Sequence, residues 1–212
     1  MNQYMKQYYE EGKLEIGLDE AGRGCLLGPV FTAGVILNDF NFNPPPYEIK
    51  DSKKCSARVR KALRRYIEEN SIAYSVEMID TDRIDQVNIL NATMEGMEEC
   101  IDNITSVINV DRLLVDGNYF PPYMNKSTFE SIPHTCIPGG DDKYYNIAAA
   151  SILAKEYRDE YITELCETNN VLDYYDIRNN KGYGTKTHML ALQEYGPTEF
   201  HRKSFKPCSA NK

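Results

Sequence analysis

The sequence predicts an α/β fold, a mixed sheet flanked by helices with a helical C-terminal portion. Two strand patterns stand together near the start, strand and helix patterns then alternate through the middle, and helical spacing dominates from about Tyr145 onward.

Leu14, Ile16 and Leu18 alternate with polar or small residues, which predicts a half-buried strand over 14–19. Val30 to Leu37 forms a second, and the short glycine-containing connection between them reads as a hairpin-like turn. Pro44-Pro45-Pro46 marks a loop. Ser56 is placed to cap a helix running to about Asn70, with Val59, Ala62, Leu63, Tyr66 and Ile67 on one face. Ile72 to Met78 reads as a third strand that sets Ile72, Tyr74, Val76 and Met78 on one side. A second helical region opens at Asp80 or Thr81 and extends toward Ile104, its apolar stripe being Ile84, Val87, Leu90, Met94 and Met97. Arg112 to Asp116 is a short apolar run suited to a buried central strand, stopped by Gly117-Asn118. His134 to Ile137 is a further strand candidate. Gly139-Gly140-Asp141-Asp142 then leads into a long helix from about Tyr145 to Cys166, and a last helix starts near Thr185 and ends before Gly196-Pro197. With no internal repeat and no low-complexity linker, one domain is expected over residues 1–212, with residues from about 160 onward forming a helical C-terminal extension.

Composition excludes several classes. At 212 residues, 42% hydrophobic and 26% charged, the chain is of ordinary globular type. It has no apolar run long enough to cross a bilayer, and the polar start Met1 to Gln7 lacks the apolar core of a signal peptide, so a cytoplasmic location is expected. Six scattered cysteines without a Cys-x-x-Cys pair argue against a zinc site or a disulfide framework. With three histidines, any metal would be held by oxygen, which favours magnesium or manganese. The net charge is −8, yet residues 50–65 carry eight basic side chains against the single acid Asp51. That segment is either a phosphate-contacting face or an ordinary solvated helix face.

The densest chemical signal is Gly17-Leu18-Asp19-Glu20-Ala21-Gly22-Arg23-Gly24. Adjacent carboxylates at a strand end repel each other, a cost usually tolerated when a divalent cation neutralises them; the alternative is a solvated acidic turn. Asp116 also closes a strand, and in one sheet the two would meet at the same edge. Asp141 precedes a helix, whose positive end favours an anion. Asp19, Glu20, Asp116 and Asp141 could together surround one or two Mg2+ ions; such pairs, about 3.5–4 Å apart, activate a water and stabilise a leaving oxygen in phosphodiester chemistry. An ordinary strand-ending turn at Asp116-Gly117 and a simple helix cap at Asp141 stand as the alternative.

Asp19-Glu20-Ala21-Gly22-Arg23-Gly24 followed by Gly28-Pro29-Val30 resembles the N-terminal signature of the type 2 ribonucleases H, in particular the bacterial ribonuclease HII group. Further matches follow in order: Asp51-Ser52-Lys53-Lys54, Asn88 to Thr93, Val115 to Asn118, Ala148 to Lys155, Lys181 to Thr185, and Gly196-Pro197 through His201 to Phe205. The resemblance implies a ribonuclease H-like sheet and a metal-dependent endonuclease using Mg2+ or Mn2+, with two ions during catalysis. It implies cleavage of the RNA strand of RNA/DNA hybrids and nicking 5′ to single ribonucleotides in duplex DNA, leaving 3′-hydroxyl and 5′-phosphate ends, in ribonucleotide removal and primer RNA degradation. Its acids carry over to Asp19, Glu20, Asp116 and Asp141 as catalytic metal ligands. Its substrate contacts carry over to Gly22, Arg23, Gly24, Tyr183, Lys53 and Lys54, the glycines letting backbone approach a 2′-hydroxyl.

Three departures from the family pattern stand out: Asp142 where serine or alanine is common, Cys25-Leu26-Leu27 for Pro-Leu-Ala, and Tyr144-Tyr145 where a proline is frequent. The first leaves open whether Asp142 shares the role of Asp141, although the spacing to Lys143 favours Asp141. A monomer without a sliding-clamp peptide is expected. The competing readings are a nuclease of the same fold with different specificity and a non-catalytic hybrid-binding protein.

Overall fold

The computed structural model describes residues 5–39 and 43–209; residues 1–4, at the polar start, 40–42 and 210–212 lie outside it. The strands are β1 (Glu15–Ala21), β2 (Val30–Leu37), β3 (Ser71–Ile79), β4 (Arg112–Asp116), β5 (Tyr123–Met124), β6 (Ser131–Ile132) and β7 (His134–Ile137). The helices are α1 (Ala57–Asn70), α2 (Thr81–Val87), α3 (Ile89–Thr105), α4 (Tyr145–Thr168), α5 (Ile177–Asn180), α6 (Lys186–Tyr195) and α7 (Lys206–Ser209). One-turn 3-10 helices at Ser52–Lys54 and Gly140–Asp142 and a longer one at Asn170–Tyr175 complete the described secondary structure.

Five strands form the main sheet in the order β3-β2-β1-β4-β7. β1 runs antiparallel to β2, with Asp19 opposite Ala33, and parallel to β4, with Leu18 opposite Val115. β4 and β7 are also parallel, so the sheet is mixed as predicted. Helices cover both faces. Ile16, Leu18, Leu113 and Val115 pack against Met97, Ile101 and Ile104 of α3 on one face. Ala33, Val35 and Leu37 meet Ala148 to Leu153 of α4 and Leu63 and Ile67 of α1 on the other. Burying each such Leu or Ile contributes about 1.5–3 kcal/mol. α4 continues past the sheet to a third cluster, where Ile162 and Cys166 join Leu26, Leu27, Tyr175, Ile177 and Leu192.

Caps fall where the sequence places them: Ser56 accepts from the Val59 amide, Asp80 from Arg83 and Thr185 from His188. The second helical region, however, is two helices. Asn88 sits at φ 71°, which ends α2, and its side chain accepts from the Leu90 and Asn91 amides, which starts α3. The apolar stripe divides with it: Ile84 packs with Val30 and Ile79, Met94 and Met97 lie under the sheet, and Leu90 is exposed. On β3, at the edge of the sheet, Ile72, Tyr74 and Met78 are also exposed, while Val76 between them packs against the α1/α4 cluster.

The link between β1 and β2 is no tight turn. Residues 22–29 form a loop that pairs with the C-terminal segments, Cys25 with Tyr183 and Leu27 with His201. The basic segment is largely neutralised: Arg60 binds Glu156 at 2.6 Å, Arg64 binds Glu68 and Glu160, and Arg65 binds Glu69. Most of the arginine charge there fastens α1 to α4 or to itself. Among the described residues no helix is long and apolar enough to cross a membrane.

Candidate active site

β1 and β4 run parallel and in register, so the residues that follow Leu18 and Val115, Asp19 and Asp116, end at the same edge of the sheet. Asp19 points to the α4 side and is buried, its carboxylate accepting from the Glu20 amide at 2.7 Å and bonded to the Ser151 hydroxyl. Ser151 lies 3.0 Å from the Ser52 hydroxyl, and both serines are buried. With the carboxylate ionised, the chain of donors runs Ser52 to Ser151 to Asp19, tying the Asp51 to Lys54 segment to the end of β1.

Gly139, at φ 63°, turns the chain after β7 so that the Gly140 amide donates to Asp116 at 2.7 Å. Asp141 follows, buried beside Asp116. Asp142 turns away and is exposed, with both its oxygens on Lys54 Nζ, at 2.5 and 2.6 Å. The neighbours Asp141 and Asp142 are thus separated by environment.

Charges in this corner repel. Burial, followed by Glu20 and Asp116, raises the Asp19 carboxyl well above the usual range. Burial and Asp116 also raise Glu20, although Arg23 opposes them from 3.3 Å. Asp141 is pushed up to about 6, by burial first and then by Asp116 and Asp51. Lys53 is held by its own turn, the Asp51 carboxylate accepting from its amide at 2.9 Å. Burial draws its ammonium down, but Asp51, Asp141, Asp19 and Asp116 together raise it, so this cation sits in the field of the acids. Among the described residues no three of His, Cys, Asp and Glu stand close enough to hold a cation as they are. The donor set nonetheless fits a hard divalent ion: it is all oxygen, clustered at one sheet edge, and destabilised by its own charge.

These raised carboxyls carry a pH signature. Their folded pKa values exceed the unfolded ones, so in the absence of divalent ions the stability they contribute is present below about pH 4 and lost as pH rises through about 6, the Asp141 value. A divalent ion binds the ionised form. Stabilisation by Mg2+ in thermal unfolding is therefore expected at pH 7.5 and absent near pH 4, and an equal rise at both would contradict it.

Beside the acids lie Gly22, Arg23 and Gly24, with Tyr183 across the Cys25–Tyr183 bridge. Gly22 has φ 95°, and a Cβ there would stand 2.1 Å from the Arg158 side chain. Only glycine suits that point. Gly24 faces open space and Tyr183 is 42% exposed. Sequence reasoning missed what holds this wall. Two fully buried arginines lie behind it, bonded to backbone carbonyls and, among the described residues, in no ion pair with a carboxylate: Arg158 donates to Leu27, Pro29 and Lys181, and Arg202 to Arg23 and Gly28. No local pattern gave Arg158 away, since it stands among Lys155, Glu156, Asp159 and Glu160 in the charged half of α4.

With this geometry in view, the comparison with known proteins is decisive. Residues 16–208 match the sequence profile of the family described as Ribonuclease HII. The chain belongs to the ribonuclease HII family. It is accordingly an endoribonuclease H of type 2, a hydrolase of phosphodiester bonds. The ribonuclease HII of Parabacteroides distasonis is 44% identical over 200 residues, covering 93% of this chain and 92% of its own. Among solved structures, the ribonuclease H2 of Pyrococcus horikoshii matches with a TM-score of 0.73 at 22% identity, over 92% of this chain and 95% of that one. Bst-RNase HIII in complex with Mn2+ matches with a TM-score of 0.63 at 16% identity, over 93% of this chain and 68% of that one. At those identities the two structures establish the ribonuclease H2/H3 fold alone.

Proposed function

We propose that this ribonuclease HII cleaves the RNA strand of RNA/DNA hybrids and nicks on the 5′ side of single ribonucleotides in duplex DNA. It leaves 3′-hydroxyl and 5′-phosphate ends and serves ribonucleotide removal and primer RNA degradation in the cytoplasm, acting as a monomer. The observation that carries this reading is the placement of four acids, Asp19, Glu20, Asp116 and Asp141, directly beside a loop that only glycine can form.

The four acids would hold Mg2+ or Mn2+, two ions during catalysis, and the Mn2+-bound relative of the same fold supports that choice. Ions held by these acids would lower the pKa of a water toward neutral and offset charge on the leaving oxygen. Ser151 orients the Asp19 carboxylate, and the Gly140 amide orients that of Asp116. Lys53 neutralises part of the acidic field and, with Lys54, contacts phosphate; Lys54 must leave Asp142 to do so. Gly22-Arg23-Gly24 brings backbone against the ribose, and the Tyr183 ring stacks on sugar or base.

The test is a DNA duplex with one ribonucleotide, run beside an RNA/DNA hybrid and an all-DNA duplex with Mg2+ and with Mn2+. Nicking confined to ribonucleotide-containing strands is expected. Cleavage of plain DNA would point to another specificity, and binding without turnover in either metal would point to a non-catalytic protein. The two neighbouring acids should also separate: Asp141→Asn should lose on the order of 100-fold in turnover, while Asp142→Asn, which disturbs only an exposed ion pair, should stay within about fivefold. Equal losses would assign both to the ions.

A further inference from the structure

Behind Tyr183 lies a line of two imidazoles that no step above uses. His188 and His201 are 0% and 1% exposed, and their Nε2 atoms are 2.9 Å apart. Two like nitrogens at that distance need one proton between them, and the surrounding groups decide which ring supplies it. The Thr198 amide, which can only donate, points at His201 Nδ1 from 3.0 Å, so that nitrogen accepts and the His201 proton sits on Nε2. It is donated to His188 Nε2. The His188 proton must then be on Nδ1, 2.9 Å from the backbone carbonyl of Tyr183, which can only accept. One arrangement therefore satisfies all four ring nitrogens, with both rings neutral. Burial depresses both imidazoles, His201 to about 3, which agrees with that state. The Tyr175 ring packs on the pair, its centroid 5.0 Å from His201 and 6.0 Å from His188.

The line joins two C-terminal segments that both pair with the loop between β1 and β2. Its far end is the turn from Thr198 to Arg202, which pairs with Leu27, and its near end is the loop whose Tyr183 pairs with Cys25. We propose that His188 and His201 are positioning residues for ribonucleotide recognition: the His201–His188 line fixes the Tyr183 peptide, and so the stance of its ring beside Gly22-Arg23-Gly24. This rests on Tyr183 being a substrate contact. A neutral line suits the task, since it adds no charge beside either the acids or a phosphate.

The variants follow from ring geometry. His188→Leu removes the donor to Tyr183 and leaves the His201 Nε2 proton buried without an acceptor. His188→Asn keeps an amide donor near the Nδ1 position. In single-turnover nicking of a duplex with one ribonucleotide, His188→Leu should lower kcat/KM about tenfold, as expected for one buried hydrogen bond, and His188→Asn should restore most of it. Because the effect runs through Tyr183, His188→Leu should add nothing in a Tyr183→Ala background. A full tenfold loss in both backgrounds would overturn the proposal, as would unchanged kcat/KM in the single variant. A second readout is independent of activity: amide exchange at Tyr183 and Thr185 should quicken about tenfold in His188→Leu and recover in His188→Asn. If the wild type fails to nick this duplex, the functional reading falls, and unchanged exchange then overturns the positioning line separately.

Discussion

Asp19→Asn should abolish metal-dependent nicking, by on the order of 1,000-fold in turnover, and at the same time make the metal-free protein more stable. The two effects have one cause. Burial first, and then the facing charges of Glu20 and Asp116, raise the proton affinity of the Asp19 carboxylate. The asparagine amide has the same shape, and its oxygen keeps the bonds from the Glu20 amide and Ser151. Only the charge goes, and with it both the repulsion and the main means of holding a divalent ion. Removing such strain at a functional site commonly returns about 0.5–2 kcal/mol. For a chain of this size that is a rise of roughly 2–4 °C in Tm per kcal/mol, measured in EDTA. Mg2+ should then raise the Tm of the variant much less than that of the wild type. A variant nicking within about tenfold of wild type would remove Asp19 from the centre of the chemistry, and a lower Tm in EDTA would contradict the repulsion argument.

The parts of this site that were legible in the sequence are those written in local patterns. Leu14, Ile16 and Leu18 announce β1, the apolar run before Asp116 announces β4, and two strands ending in carboxylates can place both acids at one edge if they are neighbours. The pairing itself carries no local signal; the family resemblance, through the order of its motifs, made it credible. The break at Asn88 was not legible because helical periodicity runs through it, and the left-handed residue shows itself only in the backbone. Nor was the fate of the arginines of α1. Their spacing says which face they occupy, but not that Glu156 and Glu160 of α4 lie opposite. The wall behind Tyr183 was least legible of all. Arg158, His188, His201 and Arg202 act through backbone carbonyls and each other, and such partners have no side-chain identity in a sequence to be read.

Gly17→Ala should be the most destabilising single methyl group that this chain can receive near the site. A Cβ at Gly17 would stand 2.2 Å from the Asn146 carbonyl carbon and 2.4 Å from the Ile147 nitrogen, both backbone atoms. No side-chain rotation relieves such a contact, so the start of α4 must lift away from β1. That end is bolted down: the Asn146 amide donates to the Glu15 carbonyl at 2.7 Å and accepts from the Leu37 amide at 3.0 Å, joining α4 to β1 and β2. Overpacking against backbone costs about 3 kcal/mol, and each buried hydrogen bond lost adds about 1 kcal/mol. With both bonds lost, a Tm lower by roughly 10–20 °C is expected in thermal unfolding. The same shift moves Ser151 off Asp19 and drags on the turn that presents Asp141, so turnover should fall even where the protein remains folded. Gly24→Ala is the matching control, because nothing lies within 4 Å of its added methyl. It should leave stability within about 0.5 kcal/mol, yet slow nicking at a ribonucleotide, since the methyl occupies the space proposed for the sugar. Loss of activity without loss of stability at Gly24, and loss of both at Gly17, would separate the glycine that faces substrate from the glycine that lets the helix reach the sheet. A Gly17→Ala protein as stable as wild type would mean that α4 does not seat on β1 through this residue.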